Sequence, residues 1–523
     1  MELRDINDIE NATQRGRKEM FRFGTALLFI IMIMMFTANL QTGTGVVSIE
    51  LVIAAMIGGY MALNIGANDV ANNVGPAVGS KALTLTGAIV LAAIFETAGA
   101  LIAGGDVIST IKNGIIDPQL INDSDTFIWL MIAALLAGAL WLNLATAMGA
   151  PVSTTHSIVG GVLGAGIAAA GWDIANWNQM GAIAASWVIS PILGGLIAAG
   201  FLFWIKRTIT YKDDMVAASK RMLPILIALM AWAFSTYLVM KGLKTLWKAE
   251  FYEAALIGLI IALLTYWGVK RIINRNANSM QNNKNSVNKL FTIPLIFAAA
   301  LLSFAHGAND VANAVGPLAA IYDAVQTHGV SASAAIPLWI LVIGALGISL
   351  GLLLFGPKLI KTVGSEITEL DQMRAYSVAM AASVTVIVAS QLGLPVSSTH
   401  IAVGGIFGVG FLREYLKRNY ANTIQEIRDH HQGADHHVTE RFIQKFEKAS
   451  VKQKKLMLAQ LKDKQTELEL TKKERKSLNK VYQKELVKRS AFLKIVAAWV
   501  ITVPASALLA ALIYYAIRGM MVP

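Results

Sequence analysis

Two clusters of amides and acids carry the first chemical signal. Asn68, Asp69 and Asn72 stand at i, i+1 and i+4 within GANDVANNVGP (66–76). Asn309, Asp310 and Asn313 repeat the spacing within GANDVANAVGP (307–317), identical at ten of eleven positions and 241 residues further on. On a helix the first and last of each triplet share a face, with the acid beside them. Amide and carboxylate oxygens are hard ligands suited to Na+, Mg2+ or Ca2+, and the acid could instead relay a proton. Gly66, Gly75 and Pro76, matched by Gly307, Gly316 and Pro317, are expected to let each helix unwind and free carbonyls as further ligands. A polar cap or packing motif at a membrane edge would account for such a cluster once. It need not recur with an aspartate in both halves.

A second duplicated signal follows each of these, PVSTTHSIVGGVLGAG at 151–166 and PVSSTHIAVGGIFGVG at 395–410. Pro151 leads into Ser153, Thr154 and Thr155, and Pro395 into Ser397, Ser398 and Thr399. Proline and hydroxyl residues before an apolar run read as a helix N-terminus. Such an end offers free backbone N–H groups and the positive pole of the helix, hence an anion site to which the hydroxyls add donors. Simple capping would explain one copy; two copies could clasp one tetrahedral oxyanion. His156 and His400 close the motifs and could donate to the anion, relay a proton or orient the loop, the last being the reading taken. Glu96, in IFETAG, sits mid-segment, and the position at equal spacing in the second half is Pro337, so it has no acidic counterpart. It is expected to bind a cation, take up a proton or pair with a polar neighbour. Glu96, His156 and His400 are thus the coupling candidates.

The elements that hold these residues are apolar. The chain has 523 residues, is 55% hydrophobic and 15% charged, and has a mean hydropathy of +0.55. With repeated apolar runs, that is the composition of an all-α polytopic membrane protein. Cysteine is absent, which excludes disulfides, thiolate metal sites and cysteine nucleophiles. Thirteen segments are expected, near 22–40, 47–65, 84–104, 127–147, 154–171, 180–204, 222–240, 251–269, 291–306, 334–355, 376–393, 398–412 and 493–517. Those at 154–171 and 398–412 are short and glycine-rich, as re-entrant or broken helices are. The first apolar run follows RGRK (15–18) and precedes no clear small-x-small site, so it reads as an uncleaved helix. The membrane cores hold almost no Lys or Arg, with Lys81 the nearest to a motif. An anion carried there is then neutralised by cations at Asp69 and Asp310.

Net charge is +12, and 413–491 alone holds 20 Lys and Arg against 11 Asp and Glu. Basic residues gathered in a non-membrane insert fit the positive-inside bias and not a nucleic-acid footprint. The N-terminus, with Arg4, Arg15, Arg17 and Lys18, is therefore placed inside. Loop 105–126, with four Asp against Lys112, falls outside, basic loops 206–221 and 270–289 fall inside, and the C-terminus ends outside. Only 241–250, with three Lys, dissents mildly. Counted this way the two GANDVAN segments cross in opposite directions, the mark of an inverted-repeat secondary transporter with broken or re-entrant helices at the midplane. The organisation expected is 1–46 cytoplasmic N-terminus and extra first helix, 47–206 first transport repeat, 207–290 linker with two helices, 291–412 second repeat, 413–491 charged cytoplasmic helical insert, and 492–523 last helix. The insert reads as one or two solvated helices, open to a partner or a coiled coil. Its HHQGADHH, with His430, His431, His436 and His437, reads as a solvated turn because the spacing is too loose for a specific metal site.

At these residues the chain resembles the PiT-type inorganic phosphate transporters, whose duplicated signatures match GANDVAN at 66–72 and 307–313, PVSTTH at 151–156 and PVSSTH at 395–400. The resemblance covers about 47–412 and the last helix. It implies symport of phosphate with Na+, or H+ in some bacterial members, on an inverted-repeat fold in the cell membrane, often as a homodimer. Carried over, Asn68, Asp69, Asn72, Asn309, Asp310 and Asn313 would hold Na+. Ser153, Thr154, Thr155, Ser397, Ser398 and Thr399 would hold phosphate, with Asp69 and Asp310 close by. The double GANDVAN looks more like the sodium-coupled members. The helix at 20–38 and the insert at 413–491 depart from the family pattern. No resident cofactor and no metal besides Na+ is expected, and the partners are phosphate, Na+ or H+, and the bilayer. Rival readings are H+ coupling and sulfate as substrate. An anion channel would need a pore lined by fixed positive charge, and Ser153 with His156 is the only hint of a hydrolase.

Overall fold

The computed structural model describes residues 3–40, 48–121, 123–242, 249–277, 280–327, 336–365, 370–430, 436–448, 457 and 489–521. The first part of the chain forms α1 (Leu3–Ala38), α2 (Ile49–Asn68), α3 (Ala71–Gly79), α4 (Leu85–Ala103), α5 (Gly105–Asn113), α6 (Ser124–Met148), α7 (Thr154–Ala170) and α8 (Trp177–Ile205). There follow α9 (Met215–Gly242), α10 (Phe251–Ala277), α11 (Lys284–Leu290), α12 (Thr292–Thr327), α13 (Leu338–Phe355), α14 (Pro357–Ser365) and α15 (Gln372–Gln391). The last are α16 (Ser398–His430), α17 (His436–Lys448) and α18 (Arg489–Met521). Among the described residues eleven helices are long and apolar enough to cross a membrane, against thirteen segments in the sequence. The two that drop out are the short ones. The first is the 17-residue α7, and the second opens the 33-residue α16, which runs on into charged sequence.

Polar residues at the ends define where helices start. Ser48 accepts from the Leu51 N–H, Thr84 from Gly87, Asp123 from Thr126 and Asp371 from Arg374. Gly149 (φ 72°) and Gly393 (φ 65°) take the left-handed conformation just ahead of Pro151 and Pro395. Each lets the chain double back and aim the next helix at the interior.

Packing between the two halves is reciprocal and runs through glycine. A Cβ on Gly66 would strike the Ile348 carbonyl, and one on Gly351 the carbonyl of Leu63, so α2 lies along α13. A Cβ on Gly307 would strike the backbone of Glu96, and one on Gly99 the carbonyl of Phe304, so α12 lies along α4. Small residues permit such close approach where no hydrophobic effect drives helices together. At the centre Gly58 faces Leu318 and Ala314, whereas Asp69 faces His306. Early residues of α2 therefore meet late residues of α12, and the two motif helices run antiparallel. α12 is the most enclosed span, 89% of its apolar window buried, against 17% for the spans within α1, α10 and α18.

These contacts correct four expectations. The second GANDVAN does not unwind, because α12 is continuous through Pro317. The first copy does break, but at Asp69–Val70 and not at its glycines. There Asn72 bonds the Asp69 carbonyl (3.0 Å) and Asn73 that of Val70 (3.1 Å), a tighter i→i−3 pattern. The glycines serve close packing instead, Gly66 and Gly307 against backbone, Gly75 and Gly316 against the Val363 and Ile111 side chains. Segment 105–126 is not simply an acidic loop, since it contains α5, packed on α12, whose Lys112 makes a buried ion pair with Asp323. Leu63 and Phe304 stand 241 positions apart, yet the glycines that meet them, Gly351 and Gly99, are 252 apart. The counterpart of Glu96 is thus Ile348 and not Pro337, although the lack of an acidic partner stands. Of the insert, α16 reaches His430 and α17 is helical, while 431–435, 449–456 and 458–488 lie outside the described residues, His431 and most of the coiled-coil reading with them.

The glycine contacts give a stability prediction. Gly307→Val should cost about 1–3 kcal/mol by overpacking, read as a lowered melting temperature in detergent. Gly200→Val, whose Cβ meets nothing within 4 Å, should leave it nearly unchanged, and equal shifts in the two would refute the packing role.

Candidate functional site

The Pro loops are fixed by the first asparagine of each motif. Asn68 donates to Thr146 Oγ1 (2.9 Å) and the Ala150 carbonyl (3.1 Å) and accepts from the Val152 N–H (3.1 Å). Asn309, with its amide oriented to satisfy both ends, donates to the Val396 carbonyl (3.2 Å) and accepts from Ser390 (3.0 Å). Asn68 thus spends its hydrogen bonds on its loop, whereas Asn309 also donates to Asp310 Oδ1 (3.1 Å).

The three hydroxyls after each proline then divide the work. Ser153 and Ser397 cap their helices, accepting from the N–H of His156 (3.1 Å) and His400 (3.2 Å). Thr154 donates to Asp69 Oδ2 (2.7 Å) and Ser398 to Asp310 Oδ2 (2.9 Å), each within its own half. Thr155 and Thr399 reach across. Asn313 donates to Thr155 (3.2 Å) and Thr154 (3.0 Å), Asn72 donates to Thr399 (2.7 Å), and Thr399 makes a short hydrogen bond to Asp69 Oδ1. Thr155 also donates to the Val396 carbonyl (3.0 Å). The structure thus brings Asp69, Asn72, Asp310, Asn313, Thr154, Thr155, Ser398 and Thr399 into one cluster, every member buried.

One part of the cluster escaped the sequence. His306 places Nε2 2.7 Å from Asp310 Oδ2, off the line of a good hydrogen bond, and 4.0 Å from Asp69 Oδ1. Its Nδ1 lies 2.7 Å from Glu96 Oε2, and Glu96 Oε1 accepts from Asn73 at 2.7 Å. Asn73, Glu96 and His306 form one chain, and their counterparts are Ala314, Ile348 and Ile65. Asn73 is the single mismatch between the two eleven-residue motifs. Its signal was in the sequence, as was the polar residue ahead of the second motif where the first has Ile65.

His156 and His400 sit elsewhere. Their rings meet edge to face at 4.4 Å and lie against Trp187 (3.9 Å) and Trp499 (3.8 Å), lining an apolar cavity of about 1010 Å³ between α8, α16 and α18. Among the coupling candidates only Glu96 joins the carboxylates.

The arrangement suits ions of both signs. Ligand atoms of Asp69, His306 and Asp310 all lie within 4.8 Å of one another, a spacing that can hold a cation. The Oδ1 atoms of Asn72 and Asn313 are buried acceptors without a hydrogen-bond donor. Such atoms are costly to leave unpaired and suit a cation or a protonated ligand. Beside them, α7 and α16 begin in turns whose first N–H groups have no intrahelical partner.

A model of the family described as "Phosphate transporter family" matches residues 65–510. A relative from Helicobacter pylori (strain J99 / ATCC 700824), described as "Putative phosphate permease", is 54% identical over 532 residues, covering 99% of both chains. One from Pyrococcus abyssi with the same description is 38% identical over 69% of this chain and 89% of its own. A solved structure, "The sodium-dependent phosphate transporter", superposes with a TM-score of 0.73 at 31% identity, covering 91% of this chain and all of that one.

The Glu96–His306 contact is testable on stability alone. Glu96→Ala strips His306 and Asn73 of a buried partner and should cost about 3–5 kcal/mol. Glu96→Gln, which keeps acceptor and donor atoms in place, should cost far less, and equal melting temperatures for the two variants would refute the pairing.

Proposed function

The chain belongs to the phosphate transporter family, and from that premise we propose that it imports inorganic phosphate by alternating access, driven by an inward Na+ gradient. The observation that carries this reading is the pairing of Asp69 and Asp310 beside the N-termini of α7 and α16. Three buried carboxylates about one imidazole form an acidic centre that attracts cations, and an intramembrane acid of this kind marks an ion path. Na+ is held by Asp69, Asp310, Asn72 and Asn313, with Asn68 and Asn309 shaping the site from behind. Phosphate is held by Thr154, Thr155, Ser398, Thr399 and the two helix ends, which Ser153 and Ser397 set in place. The cations neutralise the anion, so neither ion crosses alone. An aspartate facing a phosphate O–H gives it an acceptor that sulfate cannot use.

Alternating access is supported by the antiparallel run of α2 and α12. Equivalent helices facing opposite ways let one set of contacts serve both sides of the membrane. The N-terminus and the 413–491 insert face the cytoplasm and the C-terminus faces outside, in keeping with the basic loops. A second reading, H+ coupling, draws on His306, a base placed between Glu96 and Asp310.

Purified protein in proteoliposomes separates these readings. Labelled phosphate uptake should require an inward Na+ gradient, and equal uptake under a pH gradient alone would favour H+. Asp69→Asn and Asp310→Asn should each lower coupled uptake by at least about 100-fold, the scale of losing a charge partner worth roughly 3 kcal/mol. Normal transport in both would remove the cation assignment. Deleting 415–488 should leave uptake intact, and complete loss in a folded variant would place the insert in the mechanism.

A further inference from the structure

A cavity of about 470 Å³ opens beside α1, lined among others by Arg22, Tyr60, Asn64, Ala67, Thr146 and Lys358. Most of its wall is apolar, with Phe23, Leu27, Ile30 and Phe355 upon it, and a short polar floor leads inward. Asn143 donates to the Oδ1 of buried Asn64 (3.3 Å), and Thr146 accepts from Asn68, the residue before Asp69. One hydrogen bond and the Asn68–Asp69 peptide link therefore separate the cavity wall from the carboxylate cluster. The mouth carries two cations against one acid. Lys358 Nζ lies 3.1 Å from the Ala147 carbonyl, and Arg22 lies 2.7 Å from Glu19 with 35% of its side chain exposed.

Among the described residues the opposite half offers no such approach. Phe304, the counterpart of Leu63 on this cavity's wall, is packed under Phe234 (5.4 Å) and Tyr237 (6.2 Å) of α9. By the same 252-residue relation the counterpart of Lys358 is Asp106, a residue of opposite charge. We infer that the cavity is a vestibule for inorganic phosphate, a second anion subsite on the face that carries the N-terminal end of the α1 span, the cytoplasmic, releasing face in the orientation proposed above. Arg22 and Lys358 concentrate the anion there, and the Asn68–Thr146 bond is the gate between vestibule and site. A phospholipid headgroup shares the phosphate chemistry. Free phosphate is the occupant chosen because the polar floor leads to the carboxylate cluster and not out to the bilayer. The inference rests on the phosphate-import reading.

The test measures phosphate KM from each face, using proteoliposomes of both orientations. In Arg22→Ala/Lys358→Ala, KM on the vestibule face should rise about tenfold, the lower end of what charge focusing gives, with KM on the other face unchanged. The difference should shrink in high KCl, as screening requires, and Arg22→Lys/Lys358→Arg should restore most of the loss. Unchanged KM, or equal shifts on both faces, would overturn the vestibule while leaving phosphate import standing. A defect that follows the phosphatidylglycerol content of the vesicles and not phosphate concentration would assign the cavity to lipid and overturn it too. Wild-type protein that moves no phosphate from either face would overturn the import reading itself.

Discussion

A carboxylate taken out of water needs compensating charge or a proton, and this molecule takes three of them, Asp69, Glu96 and Asp310, to its centre together. Much of the surrounding architecture can be traced to that demand. His306 sits among all three acids. Two helix N-termini turn their positive poles inward, and three hydroxyls, of Thr154, Ser398 and Thr399, donate to the carboxylates. Close backbone contact at Gly66, Gly99, Gly307 and Gly351 brings the elements near enough for side chains this short to meet. The rest of the helical body keeps water away from the cluster.

The two halves meet this demand unequally. The hydroxyl and asparagine contacts are duplicated almost bond for bond, each half lending a threonine to the other's asparagine. The Asn73–Glu96–His306 chain exists once. So does the buried Lys112–Asp323 pair, whose Lys112 has Gly364 as its counterpart. A duplicated frame thus carries two unduplicated charge systems, and the two sides of the site are chemically distinct.

Much of this was legible in the sequence, for a physical reason. Motifs that need a fixed backbone geometry keep their spacing, so GANDVAN and PVS(S/T)TH announced themselves as pairs and located the acids and hydroxyls that meet. What stayed hidden depended on lengths between motifs. A longer connection shifts the later elements of the second half, so Glu96 aligned with Pro337 by number but with Ile348 in space. His306 precedes a motif without belonging to its duplicated core; its i,i+4 spacing to Asp310 stands in the sequence, but its contact with Glu96 spans 210 residues. Glycine was ambiguous because the same residue permits unwinding and close packing, and only the neighbouring backbone decides which. The histidines of the second motif pair follow the hydroxyls in sequence but face the opposite side of the helix end, a difference that spacing alone does not disclose.

The unbroken course of α12 has a mechanical side. At 36 residues it is about 54 Å long, well beyond the roughly 30 Å of a bilayer core. It crosses the site as a stiff mast, while its antiparallel twin is jointed at Asp69–Val70. A push on the mast moves Asp310 and His306 as one piece. The same push on the jointed rod can be taken up as rotation at Asp69 itself, so the residue that binds is also the residue that bends.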